Sequence, residues 1–128
     1  DYGLTRLSLP IAQDKTASIY LPLLEQTITP ILLGQKLPCM IYARDISISI
    51  TKPEHSSIVN HLPATIIEIQ YGKTNALVTL KSGEQQFFAQ ISLWSKKRLA
   101  LTIQSTVYIQ FKANAVHSYH YTESPKNA

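Results

Sequence analysis

The feature that most constrains this chain is the alternation of apolar and polar residues in short segments. Ile46, Ile48 and Ile50 are separated by single serines, and a similar alternation recurs in Val107–Phe111. Successive side chains of an extended backbone point to opposite faces, so each apolar set lies on one face of a β-strand. Isoleucine, threonine and tyrosine are also abundant, and such residues fit a pleated, half-buried surface. The sequence therefore predicts an all-β fold.

Turn-forming residues divide the chain into several short strands. Gly83 allows the positive φ of a tight hairpin turn over Lys81–Glu84, and Tyr71–Lys73 is a second turn. Closely spaced turns between short strands are typical of a small barrel or sandwich. The predicted strands are 4–9, 17–21, 39–50, 64–70, 76–81, 86–91 and 106–112, with a further candidate over 115–121.

One segment, Ser92–Leu99, lacks the alternation and contains neither glycine nor proline. The hydroxyl oxygen of Ser92 or Ser95 can cap a helical turn. We therefore predict one short helix between two strands, plugging one end of the barrel. We interpret its basic run, Lys96–Arg98, as a solvated helix face, with a phosphate-contacting patch as the alternative.

The polar, proline-containing loop Thr51–Ser57 is the best internal boundary. It separates an incomplete N-terminal half at 1–50 from a module at 56–121. Residues 122–128 are predicted to form a flexible tail, because chain termini without apolar anchors are seldom ordered.

The composition excludes several classes of protein. Hydrophobic residues make up 45% and charged residues 16% of the 128 residues, so the chain is not disordered and can bury a core. No apolar run approaches the ~18 residues of a membrane-spanning helix, and the first residues lack a signal peptide's layout, so secretion is not expected. Cys39 is the single cysteine, cannot close an intramolecular disulfide, and is predicted to lie in the core. The net charge of +4 permits an anionic partner without requiring one.

Motifs for catalysis are not found in the sequence, which has neither a phosphate-binding loop nor a nucleophile elbow. His117 and His120 are three residues apart, a spacing that places them on opposite faces of a strand, so no shared metal is expected. His55 and His61 flank the central loop and are predicted to be exposed loop residues. The chain is therefore predicted to catalyse no reaction and to require no cofactor.

Three segments, in this order and spacing, resemble the molybdate-binding Mop module of the TOBE class. Tyr42–Ile48 (YARDISI) is similar to the strand ahead of the module, Ser56–Leu62 (SSIVNHL) to its opening motif, and Ile91–Val116 to its closing motif. The likeness covers residues 38–117 best, and the whole chain resembles the C-terminal region of the ATP-binding subunit of bacterial molybdate ABC importers. This resemblance implies small five-stranded OB-like barrels, with strands exchanged or paired between subunits.

The resemblance also implies a ligand, molybdate or tungstate, bound at a subunit interface. A buried dianion needs several N–H and O–H donors and some positive charge. The oxyanion-binding positions implied in this sequence are Ser57, Ile58, Asn60, Lys112, Ala113 and Asn114. Lys112 of a neighbouring subunit would supply charge, Asn60 would brace the loop, and the others would supply hydroxyl or amide donors.

Val59 stands where this family usually has an arginine, and valine offers neither a donor nor a charge. Three functions remain open, with an importer of another solute, such as sulfate, iron or sugar, as a related alternative to the first. The first is a regulatory and dimerising domain that binds the oxyanion, and the second is a purely structural dimerisation domain whose anion site is lost. The third is an OB-fold nucleic-acid-binding module, but a clear platform of stacking aromatics is lacking, so no nucleic-acid partner is expected.

The resemblance implies further partners and a location. The domain would form a homodimer and would be joined to an ATPase half that is absent from this chain. The parent protein would be a molybdate-transporting ATPase that works with transmembrane permease subunits. It would lie in the cytoplasm, peripheral on the inner face of the bacterial cell membrane.

Overall fold

The computed structural model describes residues 4–12, 15–22 and 36–118. Two 3₁₀ turns, Ala43–Asp45 and Ala113–Ala115, interrupt the strands in this part of the chain. The strands and the one α-helix are β1 (Leu4–Ala12), β2 (Lys15–Pro22), β3 (Cys39–Met40), β4 (Ser47–Ser49), β5 (Asn60–Tyr71), β6 (Asn75–Ser82), β7 (Gln85–Ser92), α1 (Leu93–Arg98), β8 (Thr106–Phe111) and β9 (His117–Ser118). The predicted all-β class with one short helix is confirmed.

The centre of the molecule is a five-stranded antiparallel sheet with the order β4-β8-β5-β6-β7. The sheet curls, so that β7 at one edge lies against the turn Ala43–Asp45 that precedes β4 at the other edge. Strands β1 and β2 form a separate hairpin, and β3 pairs with β9. This is the OB-like barrel architecture that the resemblance implies, and it agrees with the small barrel that the turn pattern favours.

The core lies inside the curled sheet and follows the predicted alternation. Leu62, Ala64 and Ile66 of β5 are buried, and their neighbours in the strand are more exposed. In β8 the same applies to the apolar residues of Val107–Phe111, as the sequence predicts. Burying a large aliphatic or aromatic side chain stabilises the fold by roughly 1.5–3 kcal/mol, so this face fixes the register of the sheet.

The hairpin β1–β2 shares this core with the sheet. Ile19 and Leu21 of β2 are buried in the same cluster as the core residues of β5 and β8. Residues ahead of the loop Thr51–Ser57 therefore pack directly on residues that follow it. The division of the chain at this loop into two halves stays a prediction.

The turn over Lys81–Glu84 is confirmed, and Gly83 has a φ of 62°. The predicted strand over Cys39–Ile50 is wrong as one element, because the 3₁₀ turn at Ala43–Asp45 separates β3 from β4. In that turn the Asp45 N–H donates to the Tyr42 carbonyl oxygen at 2.9 Å, so the backbone bends locally. Ile46 is buried and Ile50 is exposed, so the alternation holds at only one end of β4.

The short helix between two strands is confirmed. The Ser92 hydroxyl accepts the Ser95 N–H at 3.0 Å, which caps the helix as expected. No residue of α1 is buried, because its lysines and arginine keep that surface in water. The buried Leu101, three residues after the helix, fills the core instead. The helix therefore adds no fully buried residue to the core, and its role as a plug at one end of the barrel stays a prediction.

Two further expectations are corrected. Cys39 is exposed and not a core residue, because the two-residue strand β3 pairs only with β9, outside the five-stranded sheet. His61 is not a loop residue, since β5 already begins at Asn60 and leaves His61 partly buried on the outer face. His55 is exposed, as predicted. The predicted tail 122–128, the end of the candidate strand 115–121 and His120 lie outside the described residues.

Candidate functional site

A shallow pocket of about 310 Å³ lies where β5 begins and β8 ends. Its lining combines the loop before β5, the turn after β8 and the open end of the β1–β2 hairpin. The residues that line it are Leu4, Pro22, Ser57, Val59, Lys112, Ala113 and Asn114. Four of the six positions that the sequence assigns to an oxyanion therefore line one pocket.

The strand register explains why residues 55 positions apart in sequence meet here. Asn60, the first residue of β5, is paired with Phe111, the last residue of β8, in an antiparallel ladder. The residue before Asn60 and the residue after Phe111 therefore leave the sheet at the same edge. This edge brings together Ser57 and Lys112 of the same chain, whereas the resemblance implies the Lys112 of a neighbouring subunit, and that origin of the charge stays a prediction.

The pocket contains donors and one positive charge, and no acidic residue lines it. The hydroxyl of Ser57 and the ammonium group of Lys112 are both on exposed residues. Ala113 and Asn114 open a 3₁₀ turn whose first amides receive no side-chain cap. Such amides point away from the turn and can donate to an anion. Chemically, the arrangement suits a small oxyanion.

The other two predicted positions do not line the pocket. The N–H of Ile58 donates to the Ser56 hydroxyl oxygen at 3.0 Å, so this amide is already engaged. Asn60 is fully buried, and its side chain bonds to the backbone of β2. Its Oδ1 accepts the Tyr20 N–H at 2.6 Å, and its Nδ2 donates to the Tyr20 carbonyl oxygen at 2.7 Å. Asn60 therefore holds the hairpin against the sheet.

Val59 lines the pocket and is 44% exposed, so its isopropyl group faces the space in which an anion would sit. A valine contributes neither charge nor hydrogen bonds to that space. Lys112 is the only lysine or arginine that lines this pocket. The charge that this pocket offers a doubly negative ligand is therefore that of one ammonium group.

Leu4 and Pro22 are lining residues that the sequence did not indicate. They belong to β1 and β2, are paired with each other, and lie far from the loop 56–59 in sequence. The sequence gives no signal for this role, because packing alone explains apolar residues in a hairpin. The sequence also did not indicate Lys52, which lines a neighbouring cavity together with Val59.

Neither a metal-ligand cluster nor a membrane-spanning helix is found in the described ranges. No group of three histidine, cysteine, aspartate or glutamate side chains among residues 4–12, 15–22 and 36–118 could hold a metal ion. His117 makes an edge-to-face contact with the ring of Tyr42, with 5.6 Å between the ring centroids. Within the same ranges, no helix has both the length and the hydropathy that crossing a membrane requires.

Comparisons with known proteins fit this geometry. Residues 56–118 match the family model of the TOBE domain. The molybdenum import ATP-binding protein ModC of Haemophilus ducreyi is 37% identical over 81 residues, which are 63% of this chain and 23% of that protein. The ModC of Pseudomonas fluorescens is 34% identical over 119 residues, which are 91% of this chain and 31% of that protein. The chain thus spans only about a quarter to a third of the length of these relatives.

A solved structure is also similar. The crystal structure of the cytoplasmic molybdate-binding protein ModG, with molybdate bound, superposes with a TM-score of 0.65. The alignment covers 80% of this chain and 74% of that chain, at 19% sequence identity. At this identity the likeness concerns the fold, and it agrees with the OB-like architecture described above.

Proposed function

Residues 56–118 of this chain belong to the TOBE domain family, and from that premise we propose that the chain is the C-terminal regulatory and dimerisation domain of the ATP-binding subunit of a molybdate or tungstate importer. The oxyanion binds in the pocket at the start of β5, at an interface between two subunits. The observation that carries this proposal is the pocket itself, which gathers Ser57, Lys112, Ala113 and Asn114 from two distant segments.

The chemistry of the pocket supports a tetrahedral dianion. Hydroxyl and amide donors surround one ammonium group, and hydrogen bonds from such donors to a charged oxygen are stronger than neutral ones. The pocket is open to solvent on one side, so a second subunit would close it and exclude water. Exclusion of water strengthens each of these contacts, because the local dielectric constant falls.

In the complete protein this domain would work beside an ATPase half and the transmembrane permease subunits, on the cytoplasmic face of the membrane. The relatives named above are import ATP-binding proteins, and ATP hydrolysis would belong to the part of them that this chain does not span. This domain would itself catalyse nothing. Oxyanion bound between two copies would couple cytoplasmic molybdate to the arrangement of the ATPase halves.

The test is a calorimetric titration of the 128-residue chain with molybdate, with tungstate, sulfate and phosphate alongside. We expect saturable binding of molybdate and tungstate that is weakened about tenfold or more in Lys112→Ala, since this variant removes the one charge of the pocket. Lys97→Ala, on the exposed helix α1, is the matched control and should bind like the wild type. Binding of phosphate as tight as that of molybdate would contradict the proposal.

A second candidate function is favoured by Val59. With this residue the domain would keep its dimerising role and lose the anion. Light scattering of the same sample distinguishes the two, because the second candidate predicts a dimer whose mass and melting temperature do not respond to molybdate.

A further inference from the structure

A second cavity adjoins the pocket on the outer face of the sheet. It has a volume of about 420 Å³ and lies between β2 and the strands β5 and β8. Its polar lining comes from four different parts of the chain. The lining residues include Ser18, Tyr20, Lys52, Val59, His61 and Tyr108.

Val59 is the single residue that lines both cavities. Its side chain therefore forms the wall between them. Val59 is 44% exposed, so its side chain is not packed into the core. An anion held against Val59 in the pocket therefore adjoins the second cavity.

The charges of the two cavities are of one sign. Lys112 lines the first cavity and Lys52 the second, and no aspartate or glutamate lines either. Among the described residues, none forms an ion pair with Lys52. Glu54, two residues further along the chain, lines neither cavity. The ammonium group of Lys52 is therefore available to a ligand.

We propose that the anion site of this chain extends across Val59 and that Lys52 supplies its second positive charge. This inference rests on the proposed function, since a dianion is the ligand that needs it. One lysine leaves a bound dianion with a net negative charge, and a second cation lowers its energy even when water screens part of the attraction. The flexible stem of a lysine can reach past a valine, with its methylene groups along the apolar wall.

Calorimetry on the 128-residue chain with molybdate as the probe tests this inference. Lys52→Ala should raise the dissociation constant about tenfold, which corresponds to the loss of one partly screened charge contact. Lys73→Ala is the matched control, because Lys73 is an exposed lysine that lines neither cavity. If the wild type binds molybdate and Lys52→Ala binds it within about twofold of the wild type, the inference is overturned and the proposed function stands.

A second variant separates failure of this inference from failure of the proposed function. Val59→Arg places a permanent charge on the shared wall, so it should restore molybdate binding when it is added to Lys52→Ala. If the wild type binds no molybdate and Val59→Arg alone does, Lys52 does not supply the missing charge, and the inference is wrong. If neither the wild type nor any of these variants binds molybdate, the proposed function fails together with this inference.

Discussion

Asn60 links the first hairpin to the barrel through a single side chain. Its amide bonds both the N–H and the carbonyl oxygen of Tyr20, as a neighbouring strand would. Asn60→Ala leaves these two backbone groups without their partner in a partly buried setting, so we expect the free energy of unfolding to fall by about 2–4 kcal/mol. Urea denaturation followed by circular dichroism measures this change.

The control for this experiment is Asn114→Ala, which removes a carboxamide from an exposed position. Surface substitutions of this kind change stability by about 0.5 kcal/mol or less. An Asn60→Ala protein as stable as Asn114→Ala would show that the two bonds to Tyr20 contribute nothing, and the role assigned to Asn60 would be wrong.

Cys39 gives a prediction about reactivity. Although the residue is exposed, partial burial of its thiol raises its pKa above the ordinary value, because desolvation disfavours the thiolate. The thiolate is the reactive form, so at pH 8 the native chain should react with iodoacetamide more slowly than the same chain unfolded in urea. The rate should rise with pH through the raised pKa. Faster alkylation of the native chain would contradict the assigned environment.

Residue environments were the part of the structure least accessible from the sequence. Cys39 is predicted to be interior because free cysteine is usually buried. The alternation of apolar and polar residues does not reveal that β3 pairs only with β9. The partner of Asn60 lies 40 residues away. Long-range side-chain bonds of this kind leave no periodic signal, so the resemblance implied that Asn60 braces its own loop and did not indicate its bonds to Tyr20.

At the scale of the elements, the end of helix α1 contains a strained residue. The N–H groups of Ala100 and Leu101 donate to the carbonyl oxygens of Lys97 and Lys96, which is the Schellman arrangement. It requires a left-handed residue, and Ala100 has a φ of 53°. Ala100→Gly should raise the free energy of unfolding by about 0.5–1 kcal/mol, because glycine adopts this conformation without a steric penalty. Thermal unfolding measures the change.

The reciprocal substitution serves as the control. Gly83 has a φ of 62° in the turn between β6 and β7, so Gly83→Ala should destabilise the chain by about 1 kcal/mol. The pair of variants must change the stability in opposite directions. If Ala100→Gly lowers the melting temperature, the left-handed conformation assigned to Ala100 is incorrect.

The elements themselves follow from the sequence where alternation and turn residues agree. Strands β5 to β8 have both a period of two and turn signals at their ends, and each was predicted to within a few residues. The segment Cys39–Ile50 has the composition of one strand, but hydrogen bonds within Tyr42–Ile46 bend it. Apolar composition does not report such local bonds, which is why this boundary was missed.

Both sides of the pocket can be predicted from the family resemblance, but not from composition or periodicity. Nothing in composition or periodicity joins Ser57 to Lys112. The register of β5 against β8 does so, and this register is set by the core of the whole sheet. Lys52 and Val59 were not recognised as neighbours across two cavities, because neither cavity exists until the hairpin packs on the sheet.

At the scale of the whole molecule, the hairpin and the sheet should unfold together. Leu21 of β2 is 1% exposed and belongs to the same core cluster as Leu62, Ile109 and Phe111. Leu21→Ala removes three heavy atoms from that core, so we expect a loss of about 2–5 kcal/mol. Because the core is shared, the loss of stability should also be detected by the fluorescence of Trp94 on helix α1, far from Leu21 in sequence.

Urea unfolding followed by tryptophan fluorescence tests this coupling, since Trp94 is the single tryptophan and is 69% exposed. In Leu21→Ala the midpoints from fluorescence and from circular dichroism should fall together, as they do for one cooperative unit. Thr16→Ala, an exposed position on the same strand, should leave both midpoints nearly unchanged. A fluorescence midpoint that stays at the wild-type value while the circular dichroism midpoint falls would mean that the hairpin unfolds alone. The pocket and the adjoining cavity, which the hairpin helps to line, would then form only while β1 and β2 are docked.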